Sequence, residues 1–439
     1  PYSVALGFEA LNATPTGTNN IGIGYAAGYS ITTGTSNIYM GSYAGYSTTT
    51  AIQNTGVGTS SLDSITTGNQ NTALGYGTGG SVTTGQKNTM LGMSAFSTAT
   101  GSNNIAIGYQ TIYQGTGSNN SAIGYTSMRL LTTGSDNVAF GYAAGYNLTT
   151  GSQNTFMGPW AGQTLTTGAD NTFLGKNAGL NTTTGSRNFL GGPNGGQNVT
   201  SGNENIAIGY VAMGGYGAGV TGGNNVAIGA QTGYSITSGT SNVFLGNMAG
   251  KELLTGQGNI GIGYQANYNT TTANHSIAIG HNAGTNITTG SDNIAIGQSA
   301  MQLGTGTTGA GNVAIGRSSL MYVSSGNYNA TIGQSSLRVV TTGSENASLG
   351  YYAGGSITTG LRNTTLGFQA GDSLTTGSNN TVIGVNSAAS SATINNEITI
   401  GNTSATRFRL PGLQAGATDG QVLTYIASSG IIDLATPSG

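Results

Sequence analysis

The chain has 439 residues, of which 5% are charged, 79 are Gly and none is Cys, and its net charge at pH 7 is −2. Soluble domains usually carry about 25% charged residues, and the ten Lys and Arg residues scattered here do not form the basic face that nucleic-acid binding needs. The absence of Cys excludes disulfides and thiol chemistry, and no apolar run approaches the ~20 residues that span a bilayer.

One short phrase returns along almost the whole chain. Asn-Thr-Phe-Met-Gly at 154–158 recurs seventeen residues later as Asn-Thr-Phe-Leu-Gly. With its Gly as a marker, there are 24 copies between Gly7 and Gly401, and 19 of the 23 intervals are seventeen residues long. Such a period predicts a solenoid in place of the roughly three globular domains that length alone suggests. Low-complexity disorder is the alternative, but apolar residues at fixed offsets and the low net charge argue against it.

A typical repeat reads N-x-A-I-G-Y-x-A-G-x-x-L-T-T-G-S-x. The Ile-Ala-Ile alternation at 105–107 predicts a short strand with both Ile side chains on one face. A second short strand is predicted at the Leu-Thr-Thr or Ile-Thr-Thr triplets, as at 148–150 and 357–359. These elements predict an all-β fold, a parallel β-solenoid (β-roll) of about 24 coils. Coils stacked at the ~4.8 Å strand spacing would form a rod of roughly 115 Å.

Stacking places equivalent residues in columns. We expect the apolar residue before the marker Gly to form a ladder inside the roll, made of Leu74, Ile107, Phe140, Leu174, Ile208, Leu245, Ile296 and Leu349. Three residues after that Gly, every copy carries Ala, Ser, Thr or Gly, so the interior there should admit only small side chains. The leading Asn, present in 21 copies, suits a turn and can hydrogen-bond from coil to coil. We interpret it as a structural Asn ladder, with Asn37, Asn71, Asn104, Asn137, Asn171, Asn205, Asn242, Asn293 and Asn346 among its members.

The residue between the two paired apolar positions is predicted to point away from the interior. It is nevertheless often apolar, as at Tyr39, Met90, Phe156 and Phe244. The resulting apolar ribbon would be larger than soluble monomers normally expose. Burial against identical chains with closed symmetry is the simple solution, and a homotrimer suits a fibrous rod.

Catalysis finds little support, and we predict neither enzyme activity nor a metal or cofactor site. His275 and His281 have no Asp, Glu or Cys at metal-ligand spacing, and the twelve carboxylates are spread over the chain. The Gly-rich turns lack the helix and the Lys of a phosphate loop.

Aromatic residues are the better candidates for surface contacts. Many Tyr residues follow the marker Gly, and stacking of their rings along the rod should stabilise the coils, with sugar binding as the alternative. Two long intervals, at 210–224 and 298–311, place extra residues at one corner of the rod, where insertions often lie on the binding face; a harmless insertion is the alternative. The possible contact residues are Trp160, Tyr216, Tyr109, Tyr142 and Tyr264.

Several motifs of the repeat resemble those of a known family. NIAIGY (205–210), NVAIG (225–229 and 312–316) and NVAFGYAAGYNLTTGS (137–152) resemble the head repeats of trimeric autotransporter adhesins, which are YadA-like. The longer repeat here, with its Tyr-x-Ala-Gly and Leu-Thr-Thr-Gly-Ser inserts, is similar to repeats of bacteriophage tail-fibre proteins. The resemblance covers about residues 1–401 and implies a left-handed, homotrimeric β-roll that acts as a spacer and a display surface.

The end of the chain changes character. Residues 419–424, Asp-Gly-Gln-Val-Leu-Thr, look like a segment common near the ends of phage fibre shafts, where it precedes a tip or an intramolecular chaperone. We therefore expect a solenoid shaft over 1–401 and a capping or connecting segment over 402–439 that leads to a tip outside this chain. Because the chain begins at Pro1 inside a repeat, without Met or a signal peptide, we expect it to be a fragment or a processed product.

The leading functional hypothesis is the extracellular shaft of a virion tail fibre. It would bind other tail proteins and, through a tip or exposed loops, a glycan or protein receptor on the host, without nucleic acid or membrane insertion. The alternative is a bacterial surface adhesin of the trimeric autotransporter type, with a signal peptide upstream and a membrane anchor downstream; the heptads of its stalk do not occur here. An ice-binding solenoid is a third hypothesis, but adjacent Thr residues point to opposite sides of a strand.

Overall fold

One long parallel sheet organises the chain. The computed structural model describes residues 2–215, 219–304, 306–405 and 407, and the backbone of two further strands, Val422–Ile426 and Ile431–Ala435. The sheet has 24 strands of three residues, which are Val4–Leu6, Ile21–Ile23, Ile38–Met40, Thr55–Val57, Thr72–Leu74, Thr89–Leu91, Ile105–Ile107, Ser121–Ile123, Val138–Phe140, Thr155–Met157, Thr172–Leu174, Phe189–Gly191, Ile206–Ile208, Val226–Ile228, Val243–Leu245, Ile260–Ile262, Ile277–Ile279, Ile294–Ile296, Val313–Ile315, Ala330–Ile332, Ala347–Leu349, Thr364–Leu366, Thr381–Ile383 and Ile398–Ile400.

Each strand pairs in register with its counterpart one coil later. Val138, Ala139 and Phe140 lie opposite Thr155, Phe156 and Met157, seventeen residues further along the chain. The parallel β-solenoid predicted from the repeat is thereby confirmed, whereas its handedness and its copy number stay predictions.

Little other regular structure accompanies the main sheet. A small parallel pair joins Thr98–Ala99 to Gln114–Gly115, and Val422–Ile426 pairs antiparallel with Ile431–Ala435. Within the described ranges there is no helix, and hence none able to cross a membrane. The last strand of the sheet ends at Ile400, and the proposed boundary between 401 and 402 stays a prediction.

The strands face the opposite way from the sequence prediction. In Thr155–Met157 the middle residue Phe156 is fully buried, while Thr155 and Met157 lie on the outer face. The predicted core ladder is therefore wrong: the residues that lie on the outer face, partly or largely exposed, are Leu74, Ile107, Phe140, Leu174, Ile208, Leu245, Ile296 and Leu349. The reason is the Asn that precedes 21 of the 24 strands. That Asn is buried, and because side chains alternate along a strand, the residue two positions later points inward with it.

The residues assigned to an exposed ribbon consequently form part of the core. Tyr39, Met90, Phe156, Phe173 and Phe244 all lie inside the roll and are almost completely buried. The column of small residues after the marker Gly is interior as predicted, with Ala27, Ala161, Ser319 and Ala370 fully buried as examples.

Large interior side chains are matched by small neighbours. Tyr39 is preceded and followed in its column by Gly22 and Gly56, and a Cβ added to Gly56 would lie 3.1 Å from the Tyr39 ring. Its hydroxyl accepts a hydrogen bond of 2.9 Å from Thr48 Oγ1, and burial raises the pKa of Tyr39 far above its ordinary value. The Gly residues thus make room for a ring that most coils do not contain.

The second predicted strand is wrong for most coils, although its first residue is a core residue. Two described coils do carry a short strand at this position, Thr98–Ala99 and Gln114–Gly115. Leu148 and Ile357 are fully buried, but the triplets at 148–150 and 357–359 bend instead of extending. The N–H groups of Thr149, Thr150 and Gly151 all donate to one carbonyl, that of Thr166, at 2.9, 3.3 and 3.4 Å. Three donors on one acceptor are incompatible with a strand ladder, in which each N–H has its own carbonyl.

A column of buried Asn amides joins successive coils. Asn154 Nδ2 donates to Asn137 Oδ1 at 3.0 Å, and its backbone N–H donates to the same oxygen at 2.9 Å. Nδ2 also donates to the carbonyl of Gly168 at 3.0 Å and so closes its own coil. Each amide therefore fixes one coil and connects it to the coil before, which satisfies polar groups that have no access to water.

The marker Gly is required by a close approach between coils. Gly158 has φ of +132°, and a Cβ built there would lie 2.7 Å from the carbonyl carbon of Gly175 in the next coil. A side chain at this position would push the coils apart, which explains why Gly recurs with the period of the repeat.

Candidate interaction surfaces

The outer face of the sheet is an apolar surface that extends along all 24 strands. Each strand presents its first and third residues there, and these are most often Ile, Val, Leu, Thr or Met. Leu74 and Leu349 are 48% and 49% exposed, and Ile332 is 50% exposed. Because the strands stack in register, these side chains form two parallel columns along the whole sheet. A surface of this length exceeds the apolar patches that monomers usually present to water.

In one coil, a missing side chain in one column of the outer face is accompanied by a larger side chain in the other column. Among the 24 strands of the described sheet, only that of Gly191 has a third residue without a side chain, and its first residue, Phe189, is the only Phe at that position. A Cβ placed on Gly191 would lie 3.6 Å from Phe189 Cε1, so the Phe ring covers the gap. The outer face thereby keeps apolar bulk even where its usual residue is missing.

A shallow depression interrupts this face near its C-terminal end. Ala330 and Ala347 occupy first-residue positions where most coils carry a larger side chain, and the space they leave is flanked by Ile332, Leu349 and Leu366. Its volume is about 300 Å³, and its lining is almost entirely apolar. None of the residues that line the depression is charged.

Aromatic rings form a second surface beside the sheet. Tyr109, Tyr125 and Tyr142 stack face to face, with centroid separations of 5.0 and 5.3 Å. Trp160 continues the column at 5.3 Å from Tyr142. Three of the predicted contact residues therefore lie together in one column.

Aromatic contacts recur elsewhere on the rod, including a series of five rings formed by Phe8, Tyr25, Tyr43, Tyr46 and Tyr29. Tyr264 stacks on His281 at 5.1 Å, and Tyr351 stacks on Phe368, also at 5.1 Å. Tyr216 lies outside the described residues.

The stacking geometry disfavours sugar binding by the rings inside the column. Tyr125 has a neighbouring ring on each face, so it presents only its edge and its hydroxyl to solvent. Lys176 Nζ lies 5.7 Å from the centroid of the Trp160 ring and covers part of it. Sugars stack on open ring faces, and the observed contacts instead favour stabilisation between coils.

The third surface feature is a cationic side chain that lies between two Tyr rings, and it occurs twice. Arg129 lies 5.5 Å from the Tyr113 centroid and 5.9 Å from that of Tyr146, and it donates to Tyr146 Oη at 2.9 Å. Cation–π contacts of this kind each contribute about 0.5–2 kcal/mol.

Lys251 repeats this arrangement between two other rings. It lies 5.8 Å from the Tyr234 centroid and 5.3 Å from the Tyr268 centroid. Its hydrogen bond to Tyr268 raises the pKa of Lys251. Both cations bridge three successive coils, which indicates a stabilising role.

The remaining charges are concentrated on the turn before the Asn. This position holds eight of the 22 charged residues, namely Lys87, Asp136, Asp170, Arg187, Glu204, Asp292, Glu345 and Arg362. Arg187 pairs with Glu204 at 2.8 Å and Arg362 with Glu345 at 2.9 Å, but all four side chains are exposed. Exposed pairs contribute at most about 1 kcal/mol each.

Among the described residues, no group of three or more His, Asp or Glu side chains could hold a metal ion.

The sequence prediction missed the outer face because it assigned those residues to the interior. The signal that could have found it is the Asn column, since a buried Asn fixes which strand residues share its side.

No protein-family model matches this chain, and no curated protein matches it.

Proposed function

We propose that this chain is the shaft of a virion tail fibre, in which three copies associate through the outer faces of their sheets. The observation that carries the proposal is the apolar outer face, which extends over the 24 strands of the sheet. Burial of its two columns would remove a large apolar area from water, at about 25 cal/mol for each Å². A structure of this kind supplies length and stiffness and needs no catalytic group.

The shaft would hold a receptor-binding tip away from the particle and bind other tail proteins at its opposite end. The host receptor would be a glycan or a protein recognised by that tip or by exposed loops. The Phe189 ring fills the space that Gly191 leaves on the outer face. This supports a packed outer face, because a surface in contact with water would not need a large side chain there. The resemblance of the repeats to phage tail-fibre repeats supports the same function.

A bacterial surface adhesin of the trimeric autotransporter type is the second candidate, since the same rod would serve it. An antibody against residues 137–170 separates the two, applied to purified phage particles and to cell envelopes from the source culture. The fibre proposal predicts that the antibody detects the full-length protein in the particles. Detection in the envelopes alone would reject the fibre and favour the adhesin.

A further inference from the structure

The interior of the roll changes character at one coil, 259–275. A contiguous apolar core extends from Leu11 to Leu253, and a second begins at Ala266 and extends to Ala389. The strand of this coil has Gly261 at its centre and contributes no side chain; the Phe244 ring of the coil before packs there, 2.8 Å from the position of an added Cβ. The core is divided between Leu253 and Ala266.

Two buried polar side chains occupy core positions of the same coil. Asn267 stands where the other coils have Gly, Ala or a large apolar residue, and Thr270 stands where most have Leu, Ile or Val. Both are fully buried. Asn267 Nδ2 donates to the carbonyl of Ile260 at 3.1 Å, but Asn267 Oδ1 and Thr270 Oγ1 have no hydrogen-bond partner. Unpaired buried polar atoms destabilise the folded coil relative to an open one.

The Asn ladder is broken in the next coil. Ser276 replaces Asn, and the N–H of Asn293 reaches Ser276 Oγ at 3.4 Å, compared with 2.9 Å between Asn154 and Asn137. Asn293 Nδ2 donates to the carbonyls of Gly290 and Gly309 and makes no amide–amide bond to the coil before. The connection between the coils is therefore weaker here than between Asn137 and Asn154.

The sheet itself is continuous through the same region. Ile260–Ile262 pairs in full register with Val243–Leu245 and with Ile277–Ile279. The backbone N–H groups of Ile260 and Ile277 donate to the neighbouring coils at 2.9 and 2.8 Å, as elsewhere. The weakness is thus confined to the interior and the Asn corner.

We propose that residues 259–292 form the hinge of the rod, with the sheet as its pivot. The interior contacts on one side of the pivot are weakened in two successive coils, so bending that opens this side costs less free energy here than elsewhere. The His275 to Asp292 pair at 3.6 Å, which spans the same coils, is exposed and adds little resistance,. This proposal concerns the single solenoid and does not depend on the fibre function.

The combination of changes distinguishes the hinge from ordinary variation. Thr182 has the position of Thr270, and its hydroxyl is also unpaired. Its coil nevertheless keeps Phe173 at the strand centre, an intact Asn ladder and a contiguous core. Thr48 has the same position, but its hydroxyl is satisfied by Tyr39. Coil 171–187 therefore serves as the internal control.

Hydrogen exchange followed by mass spectrometry tests the local weakness. In the unmodified chain, amides within 259–292 should exchange about tenfold faster than those within 137–170, the ratio expected for the loss of one net hydrogen bond. In the variant N267G/T270L/S276N, which carries the residues usual at these positions, exchange in 259–292 should slow to the level of 137–170. The control T182L should change exchange only near its own coil. Equal exchange in both regions of the unmodified chain, or no change in the repaired variant, would overturn the proposal.

Electron microscopy of negatively stained rods tests the bending. Bends should concentrate at about two thirds of the rod length from the N-terminus, which is where coils of ~4.8 Å place residues 259–292. They should disappear in N267G/T270L/S276N and persist in T182L. Bends spread evenly along the rod, or unchanged in the repaired variant, would show that this region is not a hinge. The single variant S276N provides a second test, with a partial loss of bending expected.

Discussion

At the residue scale, the buried Asn is the most demanding part of the repeat. Its amide donates and accepts at once, so it satisfies a carbonyl of its own coil and an N–H of the next. Asn154, for example, donates to Gly168 and accepts from the N–H of Asn171 at 3.0 Å. A residue that supplies only one of these groups leaves a buried polar atom without a partner.

Replacement of Asn154 by Ala should therefore destabilise its coil. The Gly168 carbonyl and the Asn171 N–H would both lose their partner, at an expected cost of about 2–4 kcal/mol. Hydrogen exchange of residues 154–174 measures the loss. The control is N154S, because the chain already uses Ser at 276, and we expect N154S to lose less than N154A. Equal protection in N154A and the unmodified chain would refute a structural role for the ladder.

Residue identity could be predicted from the sequence better than residue orientation. The Asn column and the column of small residues could be predicted from the repeat alone, because residues at equivalent positions of stacked coils lie above one another. The direction of each strand residue did not follow, since both the middle residue and its neighbours are apolar in many coils, as in Ile206–Ile208. With apolar residues on both sides, alternation does not identify the interior, and the buried Asn was needed to settle it.

At the scale of the element, a three-residue strand separates two functions. Its middle residue stabilises the coil from inside, and its two outer residues form the candidate interface. In Thr155–Met157 these are Phe156 on one side and Thr155 and Met157 on the other. Changes on the two sides should therefore have different consequences.

Substitution F156A should unfold or loosen its coil, since truncation of a buried Phe costs about 3–5 kcal/mol. Substitution M157A removes a side chain that is 47% exposed in the single chain and should leave the coil intact. Thermal denaturation followed by circular dichroism compares the two, under conditions where the chain is monomeric. A larger loss for M157A than for F156A would contradict the observed orientation.

The last described coils should respond to acid. Glu397 takes the place of Asn at the end of the ladder, where its N–H donates to Asn380 Oδ1 at 2.9 Å. The Ser390 hydroxyl, followed by the Ser390 N–H and the Thr399 hydroxyl, donates to the carboxylate and lowers the pKa of Glu397 below its ordinary value of 4.5. A depressed folded-state pKa means that the stabilisation is present above the ordinary pKa and is lost as pH falls through the folded-state value.

Residues 385–402 should accordingly open when pH falls from about 6 to about 3, while coils near Asn154 stay closed. Hydrogen exchange corrected for the intrinsic effect of pH measures this opening. The matched control E397Q cannot titrate, and its protection should not change over the same range. A similar loss in E397Q would exclude Glu397 as the cause.

At the scale of the whole molecule, the period of the sequence determines the architecture. A repeat of seventeen residues, kept through most of the chain, specifies a stack of coils and the length of the rod. The irregularities could not be predicted in the same way. The divided core depends on how Gly261, Asn267, Thr270 and Ser276 combine in two neighbouring coils, and each of them alone is an ordinary substitution.

The outer face determines what the rod can assemble with. If three copies bury it, charges introduced there should dissociate them without unfolding the coils, because the side chains concerned lie outside the roll. Ile208 and Ile228 are neighbours on this face, at 37% and 39% exposed. Gln153 lies on the exposed turn, so Q153D introduces a charge away from the face.

The mass of the chain in solution, measured by light scattering with circular dichroism on the same sample, tests the trimer most directly. We predict a mass of three chains and a β-rich spectrum, a mass of one chain for I208D/I228D with the spectrum kept, and no change for Q153D. A β-rich monomer in the unmodified chain would contradict the account, because the apolar outer face would then be stable in water without a partner.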